Sequence, residues 1–132
     1  MKAIVLAGIR EILLISTVED IGHFEKLLGN GSDWAIKLEY KIQPSLDGLA
    51  QSFILWEEFI GDDNVCLILG DNIFYGHGLT PFLKKAMSLD KGAITFSYQV
   101  RNPKNFAIVE FYDDKKVVSI EENLRIQNQI LL

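Results

Sequence analysis

The residue best placed for chemistry is Asp71, which follows an apolar run at residues 65–69. We interpret that run as the central strand of a sheet, because it is rich in aliphatic side chains. In open α/β sheets the ligand crevice lies beyond the carboxyl ends of the strands, so the turn at 70–72 falls at such an edge. A carboxylate there suits Mg²⁺, which takes one or two carboxylates together with water and phosphate oxygens. The competing interpretation, that Asp71 only stabilises a turn, is the more frequent one for this spacing.

A second polar loop, at residues 43–48, follows a segment in which apolar and charged residues alternate. The alternation covers residues 36–42 and predicts a strand with one solvated face, near an edge of the sheet. In the loop, the amide of Gln43 can pair with a nucleobase, and Gly48 can let the backbone approach that base. Turn formation is the favoured alternative for both residues.

Other polar residues give weaker signals. Glu121 and Glu122 stand at the end of a predicted strand, where a solvated strand end is favoured over a site. His23 and His77 have no carboxylate or second histidine at ligand spacing, so we interpret both as surface residues or as neighbours of a site. The sequence contains no glycine-rich dinucleotide motif, Walker loop or nucleophile elbow.

Composition excludes several classes of function. The chain has 132 residues, 48% of them hydrophobic, and a net charge of −5. Its 13 Lys and Arg residues are scattered, which argues against a nucleic-acid surface. The one cysteine, Cys66, lies in an apolar run, so we expect a buried thiol and no intrachain disulfide. No run approaches a membrane span or a signal peptide, so we expect a cytoplasmic protein that binds neither nucleic acid nor membrane.

The first two apolar runs of the sequence lie too close together to be neighbouring parallel strands. Residues 3–6 and 12–16 both have the composition of strands buried on two faces. Parallel neighbours need a connection of about a dozen residues, and far fewer separate these two runs. Either one run is not a strand, or a segment between them has been removed.

The remaining pattern alternates helix and strand, which predicts an α/β protein. Thr17 and Asp20 resemble a capping box before a helix that ends at Gly29. The further predicted elements are a helix at 49–59, the strand at 65–69, a helix at 79–87, a strand at 93–100 and a β-hairpin at 106–121. Residues 122–132 have no clear periodicity, so the chain stops without capping a sheet.

Several motifs in a fixed order are more specific than any single residue. They lie at residues 6–17, 43–51 (Gln-Pro-Ser-Leu-Asp-Gly-Leu-Ala-Gln), 58–61, 69–72 (Leu-Gly-Asp-Asn) and 75–77. In this order they resemble the glucose-1-phosphate thymidylyltransferases, a branch of the sugar-phosphate nucleotidyltransferases. The resemblance implies a Rossmann-like, mostly parallel sheet flanked by helices, here incomplete and ending in the hairpin.

The resemblance also implies a reaction. In that family a sugar-1-phosphate oxygen attacks the α-phosphorus of dTTP, and pyrophosphate leaves with the help of Mg²⁺. The implied substrates are dTTP and glucose 1-phosphate, and the family forms homo-oligomers. The implied site residues are Asp71 for the metal, Gln43, Gly48 and Leu49 for the nucleotide, and Ala107 and Glu122 for the sugar.

Departures from the family pattern lower the expected activity. Ile-Arg-Glu directly follows Gly8, where the family has a glycine-rich phosphate loop with an arginine, and this indicates an internal deletion. Ala107 stands in a Phe-Ala pair where the family has Tyr-Gly, and Asn123 stands where the family has a phosphate-binding lysine. The chain also ends before the second metal aspartate. We therefore assign no catalytic residue and expect residues 1–132 to be one partial domain with little or no activity.

Two alternatives remain open from the sequence. The first is a catalytically dead α/β module or gene remnant that acts at most as an oligomer partner. The second is another sugar-1-phosphate nucleotidyltransferase, although the motif at 43–51 favours thymidylyl transfer. Loss of a crossover helix would uncover one face of the sheet, so we expect exposed apolar surface and self-association.

Overall fold

A computed structural model of the protein describes residues 2–45, 48–75, 78–102 and 106–121. The chain divides into two compact units, Met1–Lys91 and Gly92–Leu132. The first unit contains helices α1 (Lys2–Leu6), α2 (Ile21–Leu28), α3 (Gln51–Leu55), α4 (Glu57–Ile60) and α5 (Leu79–Met87), with strands β1 (Glu11–Ser16) and β2 (Lys37–Ile42). The second unit contains strands β3 (Ile108–Phe111) and β4 (Val117–Glu121).

The centre of the first unit is a parallel βαβ arrangement. Strands β1 and β2 pair in parallel, with Glu11 opposite Lys37 and Ser16 opposite Ile42. Helix α2 lies in the connection between them and packs on β2. Residues 17–36 form this connection, which is long enough for a crossover between parallel neighbours. The predicted strands at 12–16 and 36–42 and the predicted helix between them are confirmed.

The predicted capping box of Thr17 and Asp20 is wrong, because the N-cap of α2 is Asp20, which makes no side-chain cap hydrogen bond. The two residues instead interact in the turn before the helix, where the Asp20 backbone N–H donates to Thr17 Oγ1 at 3.3 Å. The Thr17 hydroxyl donates in turn to Asp20 Oδ2 at 3.4 Å, so the carboxylate meets a side chain instead of a backbone N–H. The helix ends at Gly29, as the sequence predicted.

One group of buried residues in this unit lies around the start of β2. Ile36 and Leu38 are 6% and 7% exposed, and Gly31 beside them is buried. Gly31 has a φ of +85°, and a Cβ there would lie 2.8 Å from Ile36 Cγ1 and 3.0 Å from Leu38 Cγ. A glycine therefore lets the loop after α2 turn closely over the core.

The first apolar run is a helix, so the predicted strand at 3–6 is wrong. Helix α1 ends in a Schellman motif: the Gly8 N–H donates to Val5 O at 3.1 Å and the Ile9 N–H donates to Ile4 O at 3.2 Å. Gly8 has the positive φ, +89°, that this cap requires. Periodicity cannot separate a short apolar helix from a buried strand, and the glycine cap decides for the helix. The short connection to β1 is then no crossover, which settles the conflict in favour of the first explanation.

The predicted strands at 65–69 and 93–100 are also wrong, because neither segment is paired in the structure. Val65 and Leu67 are 55% and 48% exposed. An apolar run becomes a central strand only when neighbouring strands take its backbone hydrogen bonds and helices cover its faces. Within the described ranges, the parallel sheet consists of β1 and β2, and no strand of it pairs with either segment. Cys66 lies in this segment and is exposed, which corrects the expectation of a buried thiol.

The two further predicted helices are present in the structure. The predicted helix at 49–59 is present but divided, because Trp56 has φ −122° and ψ 29° and separates α3 from α4. The predicted helix at 79–87 is confirmed as α5, with Pro81 in its first turn, where a missing N–H costs no intrahelical bond. Leu83 of α5 is 7% exposed, and α5 contacts α1.

The two strands of the second unit form the predicted hairpin. Strands β3 and β4 pair antiparallel, with Ile108 opposite Glu121 and a register shift between Glu110 and Phe111. In the turn, the Lys116 backbone N–H donates to Asp114 Oδ1 at 3.1 Å. The hairpin prediction for 106–121 is confirmed. Residues 122–132, including Glu122 and Asn123, lie outside the described residues.

Candidate functional site

The loop that follows β2 lies at the carboxyl edge of the parallel pair. The Gln43 backbone N–H donates to Ser16 O, the last residue of β1, at 3.0 Å. Gln43 is therefore held at the point where both parallel strands end. This is the edge at which open α/β sheets bind ligands.

Gln43 and Gly48, which the sequence nominated together, meet in the structure. Gln43 Nε2 lies 3.5 Å from Gly48 O, and it donates a much shorter bond of 2.6 Å to Gln51 Oε1. Gly48 has a φ of +98°, and nothing lies within 4 Å of the position a Cβ would take. The glycine leaves open space beside the amide, as the approach of a flat ligand requires.

The start of α3 completes this loop. The Gln51 backbone N–H donates to Gly48 O at 3.3 Å, and the Ser52 N–H donates to Leu49 O at 3.2 Å. Leu49, the third predicted nucleotide residue, is 54% exposed and presents apolar surface next to Gly48. Gln51 also donates through Nε2 to Ser45 Oγ at 3.4 Å.

Gln51 is a residue of this loop that the sequence analysis did not nominate. In the sequence, Gln51 stands out only as the last residue of the motif at 43–51. No spacing rule pairs two amides eight positions apart, because they meet only when the loop folds back on itself. The half-buried contact between the two glutamines is therefore a result of the tertiary structure.

Asp71 occupies an exposed turn. The Asn72 N–H donates to Leu69 O at 3.1 Å, and Asn72 Nδ2 donates to Asp71 Oδ1 at 3.4 Å. Asp71 therefore does form a turn, as the competing interpretation predicted. Its carboxylate remains exposed, and a single carboxylate fits Mg²⁺ when water and phosphate oxygens complete the coordination. In the described part of the chain, no group of three or more His, Cys, Asp or Glu residues is arranged to hold a metal ion by itself.

The other nominated residues lie in the second unit, outside the described residues or on the surface of α2. Ala107 is exposed, precedes β3 and belongs to the second unit. Glu122 and His77 lie outside the described residues. His23 is on the surface of α2, with Nδ1 4.0 Å from Asp20 Oδ1.

Two contacts involve charged side chains of β2. Lys41 Nζ lies 5.2 Å from the centroid of the Trp56 ring, which joins the end of β2 to the junction of α3 and α4. Trp56 Nε1 is buried and has no hydrogen-bond partner among the described residues. On β2, the hydrogen bond between Lys37 Nζ and Glu39 Oε1, 2.8 Å long, raises the pKa of Lys37 and lowers the pKa of Glu39.

A parallel βαβ unit with a polar loop at its carboxyl edge defines an α/β protein with a loop at the place where open α/β sheets bind their ligands. The structure is similar to a solved Bacillus anthracis protein that was assigned to the glucose-1-phosphate thymidylyltransferases and holds sucrose. The TM-score is 0.84 at 28% identity, over 94% of this chain and 50% of that one. The nucleotidyl transferase family profile matches residues 1–123, and the chain belongs to this family.

Curated relatives confirm the resemblance found in the motifs. The chain is 56% identical to a glucose-1-phosphate thymidylyltransferase of Neisseria meningitidis serogroup A over 122 residues. It is 54% identical to the Neisseria gonorrhoeae enzyme and 43% identical to one from Xanthomonas campestris pv. campestris, strain B100. The matches cover 92% of this chain but only 41–42% of those proteins, so the chain spans about two fifths of their length.

One further property follows from the helices. None in the described part of the chain is long and apolar enough to cross a membrane.

Proposed function

We propose that the protein carries the nucleotide-binding part of a glucose-1-phosphate thymidylyltransferase and binds dTTP with Mg²⁺ in the cytoplasm. The observation that carries the proposal is the meeting of Gln43 and Gly48 at the carboxyl edge of the parallel strands, 3.5 Å apart. Both the place and the chemistry suit a nucleobase, because an amide offers a donor and an acceptor in one plane. The identity of 56% to a thymidylyltransferase supports the choice of thymine.

In this proposal each loop residue has its own task. Gln43 reads the polar edge of the base, Gly48 leaves room for it, and exposed Leu49 packs on its face. Asp71 supplies one oxygen ligand to Mg²⁺, and the phosphates of the nucleotide supply others. Bound there, the metal ion would neutralise charge as glucose 1-phosphate displaces pyrophosphate from the α-phosphorus.

We also propose that the chain performs this reaction very slowly, because backbone and arginine donors near its N-terminus are used to cap helix α1. The N–H groups of Gly8 and Ile9 donate to Val5 O and Ile4 O in the cap of α1, so neither is available to bind phosphate. Arg10 Nη1 likewise donates to Val5 O at 3.1 Å and to Ile9 O at 3.0 Å. Each lost donor to a transition state costs roughly a hundred- to a thousandfold in rate. We therefore expect nucleotide binding with pyrophosphate release several powers of ten below that of a complete enzyme.

Other parts of the proposal concern the rest of the site. Residues 1–132 form one partial domain in this proposal, and Ala107 and Glu122 belong to its sugar side. Mg²⁺ is the metal, and homo-oligomer formation follows the family.

The second candidate is a catalytically dead module that acts as an oligomer partner. It is favoured by the apolar side chains left in solvent: Ile73, Tyr75 and Ile54 are 91%, 97% and 76% exposed. Apolar surface of this kind promotes self-association. A sharp monomer peak in size-exclusion chromatography with light scattering would count against this candidate.

Thermal melting with and without dTTP and Mg²⁺ tests the first candidate. A ligand that binds only the folded state stabilises it by about 2.7 kcal/mol at a hundred times its Kd, so the midpoint must rise. We expect Asp71→Asn to remove the part of the shift that depends on Mg²⁺ and to keep the part that depends on the base. Asp62→Asn, in another exposed turn, removes the same charge and is the matched control. No shift with millimolar dTTP and Mg²⁺ would refute nucleotide binding.

A further inference from the structure

The amide of Gln43 has a fixed direction in the structure. Its Nε2 faces Gln51 Oε1 at 2.6 Å in a half-buried contact and Gly48 O at 3.5 Å. Gly48 O is a backbone carbonyl, which can only accept a hydrogen bond. A reversed Gln43 amide would place Oε1 against this carbonyl, and Gln51 would have to reverse its own amide to keep the 2.6 Å bond. The NH₂ end of Gln43 is therefore held inward.

The opposite end of the same amide is left for a ligand. No hydrogen bond within the described ranges uses Gln43 Oε1. This oxygen can only accept, so it requires a donor from whatever binds beside it. An acceptor without a partner costs free energy once a ligand excludes water, which makes the requirement selective.

Nucleobases differ at the atom that such an acceptor would meet. Thymine and uracil carry an imide N–H at N3, whereas N3 of cytosine is an acceptor. An outward Gln43 Oε1 pairs with the first two bases and repels the third.

We propose that Gln51 is a positioning residue that sets base selectivity: it holds Gln43 Nε2 through its Oε1, so that Gln43 Oε1 accepts from the imide N–H of a pyrimidine nucleotide. This inference rests on the proposed function, because it concerns the same nucleotide site. Gln51 itself does not touch the base. Its effect passes entirely through the direction of the Gln43 amide.

The test compares two substitutions of opposite polarity in the full chain. Gln51→Glu keeps an acceptor at the same reach, so Gln43 can still donate to it. Gln51→Lys offers only a donor, so the Gln43 amide is driven to reverse and turn its NH₂ end outward. The measurement is the ratio of the Kd values of dTTP and dCTP, each determined by calorimetry with Mg²⁺. Because both nucleotides carry the same triphosphate, the charge changes at position 51 cancel in this ratio.

We expect the wild-type chain to favour dTTP and Gln51→Glu to keep that preference. In Gln51→Lys the preference should fall by about tenfold or more, because the Gln43 amide then meets the base with a donor instead of an acceptor. A merely structural role would weaken both nucleotides together and leave the ratio unchanged. Circular dichroism spectra of the three proteins check that all are folded.

The possible failures can be told apart. If the wild-type chain binds both nucleotides and Gln51→Lys keeps the wild-type ratio, the inference is overturned and the proposed function stands. Equal affinity of the wild-type chain for dTTP and dCTP overturns the inference in the same way. If the wild-type chain binds neither nucleotide, the proposed function falls and the inference falls with it.

Discussion

Gly31 is the position where a single methyl group should do the most damage. Its φ of +85° lies in the left-handed region, where an L-residue pays about 1–2 kcal/mol. The added Cβ would also lie 2.8 Å from Ile36 Cγ1 and Ile36 O and 3.0 Å from Leu38 Cγ. One of these contacts is with backbone, which cannot rotate away, and overpacking of a core costs typically about 1–3 kcal/mol. We therefore expect Gly31→Ala to lower the free energy of unfolding by about 2–5 kcal/mol, the sum of the two effects.

Two other glycines provide the controls for this prediction. Gly8 has a φ of +89° but nothing within 4 Å of a new Cβ, so Gly8→Ala reports the backbone effect alone, about 1–2 kcal/mol. Gly22 lies inside α2 with an ordinary φ and open space, so Gly22→Ala should stabilise the protein by about 0.5–1 kcal/mol. The same chemical change thus has opposite signs at positions 22 and 31.

Urea unfolding followed by circular dichroism measures all three variants. The urea midpoint should be highest for Gly22→Ala and should decrease through the wild type and Gly8→Ala to Gly31→Ala. A Gly31→Ala midpoint equal to that of the wild type would refute the close turn over Ile36 and Leu38. A Gly31→Ala midpoint equal to that of Gly8→Ala would refute only the steric contribution.

Substitutions at Trp56 and Glu39 test two further contacts. Trp56→Phe should change the free energy of unfolding by less than about 1 kcal/mol, because losing the buried Nε1 without a partner offsets the lost ring area and the Lys41 contact. Trp56→Ala, measured in the same urea series, should cost more than Trp56→Phe, because it also removes the ring contacts of this partly buried side chain. Because Lys37 lowers the pKa of Glu39, this pair adds stability above the ordinary carboxyl pKa and loses it as pH falls through the lowered value. Glu39→Gln should therefore flatten the acidic side of the stability profile slightly, and an unchanged profile would contradict the ion pair.

The sequence determined those elements whose pattern is local. Amphipathic spacing predicts α2 and α5, alternation predicts β2, and two strand-like runs around a polar turn predict the β3–β4 hairpin. These patterns depend on neighbours a few residues away, so they persist whatever surrounds them. The motif at 43–51 also indicated the family, and it placed Gln43 and Gly48 in one loop.

Tertiary structure alone decided the elements and contacts that need a distant partner. The runs at 12–16 and 65–69 are both apolar, yet the first pairs with β2 and the second remains unpaired. A strand exists only where another strand takes its hydrogen bonds, and composition does not record whether that partner is present. The contact of Gln43 with Gln51 is of the same kind, because only the folded loop brings two amides to 2.6 Å and gives one of them a direction.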